Sequence, residues 1–336
     1  MNNFSYRKIG RKSWLILLLF CLVLVAYIIW DNHRIIIVEQ DVVINNLSKD
    51  LEGFSILQIT DLHEKEFGEN QRGLLEKINS IDYDAIIFTG DMLDDSTSTN
   101  YKPYYTLIEG IDNKEYAFFV PGNTDPEKYR LDSAHSSYEK HDFIKGMEQR
   151  GVQLLESVEP LQIEDSTIYF VDFEMSILNS QYELSTMNYH KDSKAELDSN
   201  YYAHQKQLLN ELAILNQAED SEVLIALNHY PVVDPRVDQL TSDERYLFRN
   251  YDLIIAGHYH GGQIRVPLLG AVFVPEEWYE NGGFFPPTDR VKGLWEYNRT
   301  KQYVSTGLGS SDAIPFMKFR FLNPPEINVL TLTRGK

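Results

Sequence analysis

The sequence predicts a layered α/β domain carried behind one membrane-spanning helix. Three observations lead there. From residue 54 onward, short apolar runs of strand length alternate with polar loops and amphipathic stretches. Each run with a legible end finishes, on its carboxyl side, in Asp, Asn or His. And residues 14–30 are seventeen consecutive apolar positions, at the lower end of the roughly 17–25 that span a bilayer.

The elements follow in order. Tryptophans at both ends of the apolar run suit the two membrane interfaces, and Arg7, Lys8, Arg11 and Lys12 before it favour a cytoplasmic N-terminus. No small-residue cleavage site follows Trp30, so a retained single-pass anchor is expected with the body outside the cytoplasm. The expected division is a basic N-terminus at 1–13, the anchor at 14–30, a connecting segment at 31–50 and one catalytic domain at 51–336. Residues 35–44 read as β structure leading into the domain. Strands are expected at 54–60, 85–89, 117–120, 167–173, 222–228, 252–256, 271–274, 302–306 and 327–333. Helices are expected at 69–80, 101–110, 137–150 and 201–216, with a further one between His229 and Asp252. The polar, Ser- and Asn-rich stretch 174–200 reads as a surface insertion, and the aromatics of 277–285 as core or loop packing.

Charge narrows the partners. The four basic residues sit before the anchor, so a chain of net charge −19 leaves −23 on the 306 residues after residue 30. Such a body repels nucleic acid and anionic headgroups, and a nucleic-acid partner is excluded. Nothing implies a protein partner. The one cysteine, Cys21, lies inside the apolar run, so neither a disulfide framework nor a Cys-based zinc site exists.

The strand ends carry the chemistry. They present Asp61 and His63, then Asp91, Asn123, His229, and finally His258 and His260 between Gly257 and Gly261-Gly262. Ligands in open α/β sheets gather beyond the carboxyl ends of strands, so these side chains converge if the strands are neighbours. His258 and His260, two residues apart in an extended loop, would point to the same side. Imidazole, carboxylate and amide oxygen together suit divalent Mn, Fe or Zn.

In order and spacing these motifs resemble the calcineurin-like metallophosphoesterases: Asp61-Leu62-His63, Gly90-Asp91, Gly122-Asn123-Thr124-Asp125, His229 and Gly257-His258-Tyr259-His260. Gly-Gly-Gln-Ile-Arg-Val-Pro at 261–267, Thr-Gly-Leu-Gly at 306–309 and Asn-Pro-Pro-Glu-Ile at 323–327 look like its membrane-anchored bacterial subgroup. The resemblance implies a four-layer α/β/β/α sandwich and two divalent metal ions. One would be held by Asp61, His63, Asp91 and His260, the other by Asp91, Asn123, His229 and His258, with Asp91 bridging. It also places Asp91, Asn123, Thr124 and Asp125 in the catalytic machinery.

One position departs from the pattern. The family carries histidine directly after the asparagine, where it protonates the leaving oxygen with the next acid orienting it; this chain has Thr124. A threonine hydroxyl donates a hydrogen bond but is no acid near neutral pH. Three readings stay open: a substrate with a good leaving group, another donor such as His135 or His141, or a protein that binds metal and phosphate with weak turnover. The expected function is a membrane-anchored, dinuclear-metal phosphohydrolase cleaving a phosphoester or pyrophosphate, of a lipid-linked or envelope substrate, through a metal-activated hydroxide. The alternative is a catalytically weak regulatory protein.

Overall fold

The computed structural model describes residues 11–132, 137–189, 199–217, 222–311 and 318–335. Strands β1 (Ile36–Ile44), β2 (Ser55–Ile59), β3 (Ala85–Phe88), β4 (Ala117–Phe119), β5 (Tyr129–Asp132), β6 (Ser137–Lys140), β7 (Gln153–Leu154) and β8 (Val158–Ile163) come first. They are followed by β9 (Ser166–Asp172), β10 (Val223–Leu227), β11 (Leu253–Ala256), β12 (Arg265–Val266), β13 (Gly270–Ala271), β14 (Gly293–Tyr297), β15 (Thr300–Val304) and β16 (Glu326–Arg334). Twelve of them build two six-stranded sheets, ordered β1-β16-β2-β3-β4-β7 and β14-β15-β11-β10-β9-β8.

The two-residue side-chain period sorts the apolar residues into layers. In β3, Ala85 and Ile87 face the second sheet while Ile86 and Phe88 face outward. In β10, Val223, Ile225 and Leu227 face the first sheet and Ala226 faces out. Between the sheets lies a core to which both contribute, including Ile56, Phe118, Phe170 and Ile255. Helices Arg72–Ile78, Lys102–Gly110 and Asp142–Glu148 cover the outer face of the first sheet through Leu74, Tyr104 and Phe143. Helices Ser199–Glu211 and Asp234–Ser242 cover the second through Leu209, Val237 and Leu240. The result is the four-layer α/β/β/α sandwich.

β2, β3, β4 and β7 run parallel, as do β9, β10, β11 and β15, so the loops after β2, β3, β4, β10 and β11 are all carboxyl-end loops. Gln58 ties the sheets together at this end: its fully buried amide donates to Thr89 Oγ1 of the first sheet's β3 loop (2.9 Å) and to the Ala256 carbonyl of the second sheet (2.8 Å).

Several expectations need correction. Residues 137–150 are not one helix: Ser137–Lys140 pairs antiparallel with Tyr129–Asp132, and the helix begins only at Asp142. Cross-strand pairing and the stacking of Tyr138 on Tyr201, 4.4 Å between ring centres, outweigh the helical spacing. Helix 69–80 breaks at Gln71, whose backbone is left-handed, because its side chain satisfies the Phe67 amide and the Lys65 and Pro103 carbonyls. Within the stretch 174–200, helix Ser180–Tyr189 forms, which its weak period did not announce. Ladder pairing near 271–274 reaches only Gly270–Ala271. The connecting segment 31–50 supplies β1, the edge of the first sheet. β8 and β14 are edge strands with weak sequence signals, the first interrupted by Pro160 and the second opening on Gly293. His135 lies outside the described residues.

The apolar N-terminal run is a helix, Arg11–His33, whose flank is exposed along its length and whose last turn, Asp31 and Asn32, is buried in the body.

Candidate metal centre

The site is built where the carboxyl-end loops of both sheets meet. The β2 loop is laid along the β3 loop by backbone bonds, Asp61 N–H to the Gly90 carbonyl (2.9 Å) and His63 N–H to the Asp91 carbonyl (3.0 Å). The β11 loop is joined to the β10 loop through Gly257 N–H and the His229 carbonyl (3.0 Å). The carboxylate of Asp61 then accepts from Thr60 Oγ1 (2.9 Å) and from the His258 N–H (3.2 Å to each oxygen), which crosses from one sheet to the other. Glycine is required where these loops touch. A Cβ on Gly90, which has φ +86°, would strike the Gly122 backbone and the His229 ring, and one on Gly257 would strike Thr60 and Asp61.

Asp61, His63, Asp91, His258 and His260 all have positive φ, between 47° and 69°. Left-handed backbone at so many non-glycine residues persists only when the surroundings over-determine it. His258 and His260 therefore do not project to one side of an extended loop, as alternation predicts; they stand on a tight turn whose left-handed residues send them to different neighbours.

Two clusters of donor atoms result, each with its atoms within 4.8 Å of one another: Asp61, His63, Asp91 and His260, and then Asp91, His229 and His258. Asp91 belongs to both. In the first, His63 Nε2 lies 3.2 Å from His260 Nε2 and 3.5 Å from Asp91 Oδ2, and His260 Nε2 lies 3.5 Å from Asp61 Oδ1. In the second, His229 Nε2 lies 3.3 Å from Asp91 Oδ2, 3.1 Å from His258 Nδ1 and 3.1 Å from Asn123 Oδ1. All these residues except Asn123, which stands exposed at the mouth, are buried.

The donor sets fit metal ions, and the tautomers say why. His229 Nδ1 lies 2.8 Å from the Thr89 carbonyl and His258 Nε2 lies 3.3 Å from the Pro275 carbonyl. A carbonyl only accepts, so each of those nitrogens carries its ring's hydrogen. The remaining nitrogens, His229 Nε2 and His258 Nδ1, face each other at 3.1 Å as two lone pairs. A proton or a cation must stand between them. Holding the far nitrogen on a carbonyl is how proteins orient metal-binding imidazoles.

Electrostatics agree. Burial pushes the Asp61 carboxyl up to about 7, opposed by His229 and reinforced by Asp91. Burial alone would lower His229, yet Asp91 beside it raises it to about 9. Burial, with His229 nearby, brings His258 down to about 3, and burial lowers His63 and His260 as well. The arrangement is two buried carboxylates with three imidazoles held neutral by burial and a fourth, His229, that keeps a proton beside Asp91, a place a divalent cation would take.

The side chains of Thr124 and Asp125 are both engaged with backbone groups. The Thr124 hydroxyl donates to the Leu93 carbonyl (2.7 Å), and its N–H donates to Asp91 Oδ1 (2.8 Å). Asp125 accepts four backbone N–H groups, from Asp91 (2.7 Å), Met92 (2.9 Å), Leu93 (3.2 Å) and Gly122 (2.9 Å), and so clamps the β3 loop to the β4 loop. Burial and then Asp91 raise its carboxyl to about 6. His141 caps helix Asp142–Glu148 by accepting from the Phe143 N–H (3.2 Å), rather than joining the donor clusters.

The sequence model of the calcineurin-like phosphoesterase family matches residues 54–262. The chain belongs to that family. As a member it is a metal-dependent phosphoester hydrolase with a metal-binding cluster. It is 23% identical over 307 residues to the metallophosphoesterase YkuE of Bacillus subtilis, covering 90% of this chain and 87% of that one. A metallophosphoesterase of Helicobacter pylori is 22% identical over 301 residues, 88% of this chain and 63% of its own length. The phosphodiesterase YaeI of Escherichia coli is 34% identical over 82 residues, 24% of this chain and 25% of that one. Among solved structures, the sulfate thiohydrolase SoxB of Thermus thermophilus aligns with a TM-score of 0.37 at 9% identity, over 84% of this chain and 57% of that one.

Residues behind the donor atoms complete the site. Asn323 Nδ2 donates to the His260 carbonyl (2.6 Å), as does the fully buried Arg320 guanidinium (3.2 Å). Glu326 receives the Thr306 N–H (3.0 Å). The 306–309 and 323–327 motifs thus brace the His260 and Asp61 loops. Arg320 and the Pro275 carbonyl had no sequence signal.

Proposed function

We propose that this member is a membrane-anchored phosphohydrolase with a dinuclear centre, acting on a lipid-linked or envelope phosphoester or pyrophosphate. Asp61, His63, Asp91 and His260 hold one divalent ion of Mn, Fe or Zn, and Asp91, Asn123, His229 and His258 hold the other. The observation that carries this reading is the pair of donor clusters sharing Asp91, with the lone pairs of His229 and His258 turned on each other. When bound, two such ions lower the pKa of water and neutralise charge on phosphoryl oxygens.

The chain's own residues do the rest. The Thr89 and Pro275 carbonyls fix the imidazole tautomers. The Thr124 N–H holds Asp91 Oδ1, leaving Oδ2 toward His63 and His229. With the Thr124 hydroxyl committed to Leu93, the chain offers no acid at this position, so the substrate must bring a leaving group that needs little protonation. A phosphate leaving from a pyrophosphate fits that demand, as does an aryl phosphate. The exposed apolar helix Arg11–His33, preceded by basic residues, supports an anchor with the N-terminus cytoplasmic and the body outside.

The full chain, purified in detergent without chelators, tests the reading through its metal content and Mn-dependent hydrolysis of aryl phosphate mono- and diesters. Two ions per chain, with turnover lost on chelation, is the expected result. Two ions with no turnover on any ester would replace it with the second reading, a metal- and phosphate-binding regulator, which the committed Thr124 hydroxyl favours.

A further inference from the structure

A cavity of 340 Å³ opens directly off the donor clusters. One wall is Asp91, Asn123, His258 and His260; the other is apolar, with Ile264, Val272, Phe273, Pro275 and Phe284. That volume holds a sizeable ligand, and such a lining suits hydrocarbon better than sugar or nucleotide. At its apolar rim lie two loop tips, an acid-free one at Leu268–Leu269 and one at Phe284–Phe285 flanked by Glu280 and Asp289. Leu268 is fully exposed and Leu269 60% exposed, while Phe284 and Phe285 are 50% and 68% exposed. The tips belong to one patch: the Val272 N–H donates to the Ile264 carbonyl, the Phe285 N–H donates to the Val272 carbonyl, and the rings of Phe273 and Phe284 are 4.9 Å apart.

The patch is rooted beside the end of the apolar helix. Asn32, in its last turn, exchanges two hydrogen bonds with the Arg320 backbone (2.7 and 2.8 Å), and the next residue, Phe321, accepts from Arg265 N–H and donates to the Gln263 carbonyl. Only that short ladder separates the helix end from the hairpin bearing Leu268 and Leu269. The segment 264–273 contains Arg265 and no acid, in a body of strongly negative charge. An acidic body is repelled by anionic headgroups, so the acid-free hairpin beside the anchor, with Phe285 next to it, is the surface suited to meet the bilayer, while Glu277, Glu280 and Asp289 mark the edge of the patch.

We propose that Leu268, Leu269 and Phe285 enter the bilayer interface beside the anchor, and that the cavity takes the hydrocarbon chain of a lipid phosphoester entering from that side. This rests on the anchored-phosphohydrolase reading and assigns its substrate class: an amphiphile whose phosphate is reached from the membrane surface, not a soluble metabolite.

The test uses the full chain in phosphatidylcholine vesicles, with Cys21→Ser as background and an environment-sensitive fluorophore on Leu268→Cys or, as control, on Ile214→Cys. The Leu268 probe should emit to the blue of the control and be quenched by lipids spin-labelled near the interface. Identical, water-like emission at both positions overturns the membrane contact. In parallel, the double variant Leu268→Asp, Phe285→Asp should lose about tenfold in rate on the nitrophenyl ester of dioleoyl phosphatidate in the same vesicles, and less than about twofold on soluble bis(nitrophenyl) phosphate. Equal losses on both overturn the lipid-entry route. If the unsubstituted chain cleaves neither ester, the phosphohydrolase reading fails and the fluorescence alone decides the membrane contact.

Discussion

The two walls of the cavity are built by opposite means. The donor wall is held from both sheets at once: each loop is bonded to a neighbouring loop, five residues are forced into left-handed backbone, and Asp125 receives four N–H groups behind it. The apolar wall, residues 264–285, hangs on the two-residue strands β12 and β13 and isolated bridges such as Phe273–Phe284, with aromatic rings left in solvent. Chemistry that tolerates little displacement sits where the fold is over-determined, and the surface that selects a substrate sits where it is not. Altering the first wall should cost activity or folding; altering the second should change what is bound.

Asp91→Asn should do most, because one residue serves both clusters. Turnover on aryl phosphates should fall about 10³-fold, equivalent to ~4 kcal/mol, with metal content reduced, read by steady-state kinetics and elemental analysis. Next comes Asp125→Ala, which strands four buried N–H groups without touching the donor atoms. It should lower unfolding free energy by about 3 kcal/mol in denaturant titration; a loss under ~1 kcal/mol would show that the clamp is dispensable. Thr124→His should raise turnover about 10- to 100-fold on alkyl phosphates, whose leaving group needs a proton, and little on nitrophenyl esters. A uniform gain on both would point to positioning rather than acid catalysis. Phe273→Ala, in the apolar wall, should cost about 1 kcal/mol of stability and raise KM for a lipid ester while leaving bis(nitrophenyl) phosphate unaffected. If it instead damaged soluble turnover as much as a donor-wall change, the division between the walls would collapse.

The same contrast governs what could be read in advance. The buried strands β2, β3, β4, β10 and β11 are short apolar runs with a polar residue fixed at each end, and both the run and its terminus survive in one dimension. So the donor residues were legible as a set. Their geometry was not, since left-handed backbone at Asp61 or His258 is imposed by neighbouring loops and leaves no local trace. Thr124 and Asp125 were placed in the catalytic machinery by resemblance alone; the partners of their side chains are backbone groups, which carry no residue identity. Edge strands β8 and β14, each with one unpaired side, the first containing Pro160 and the second starting at Gly293, carry too weak a period. The hairpin Leu268–Leu269 reads as an ordinary turn until its exposure and its root beside Asn32 are known.

The position of β16 has a further consequence. Residues 326–334 do not finish the first sheet at its rim; they lie between β1 and β2, parallel to one and antiparallel to the other. Until that segment is available, β1 and the strand leading to Asp61 have no bond between them, and both present open edges. During synthesis the first sheet must therefore remain unclosed until residues 326–334 have emerged. Removal of 326–334 should accordingly prevent assembly altogether, unlike the trimming of a frayed end.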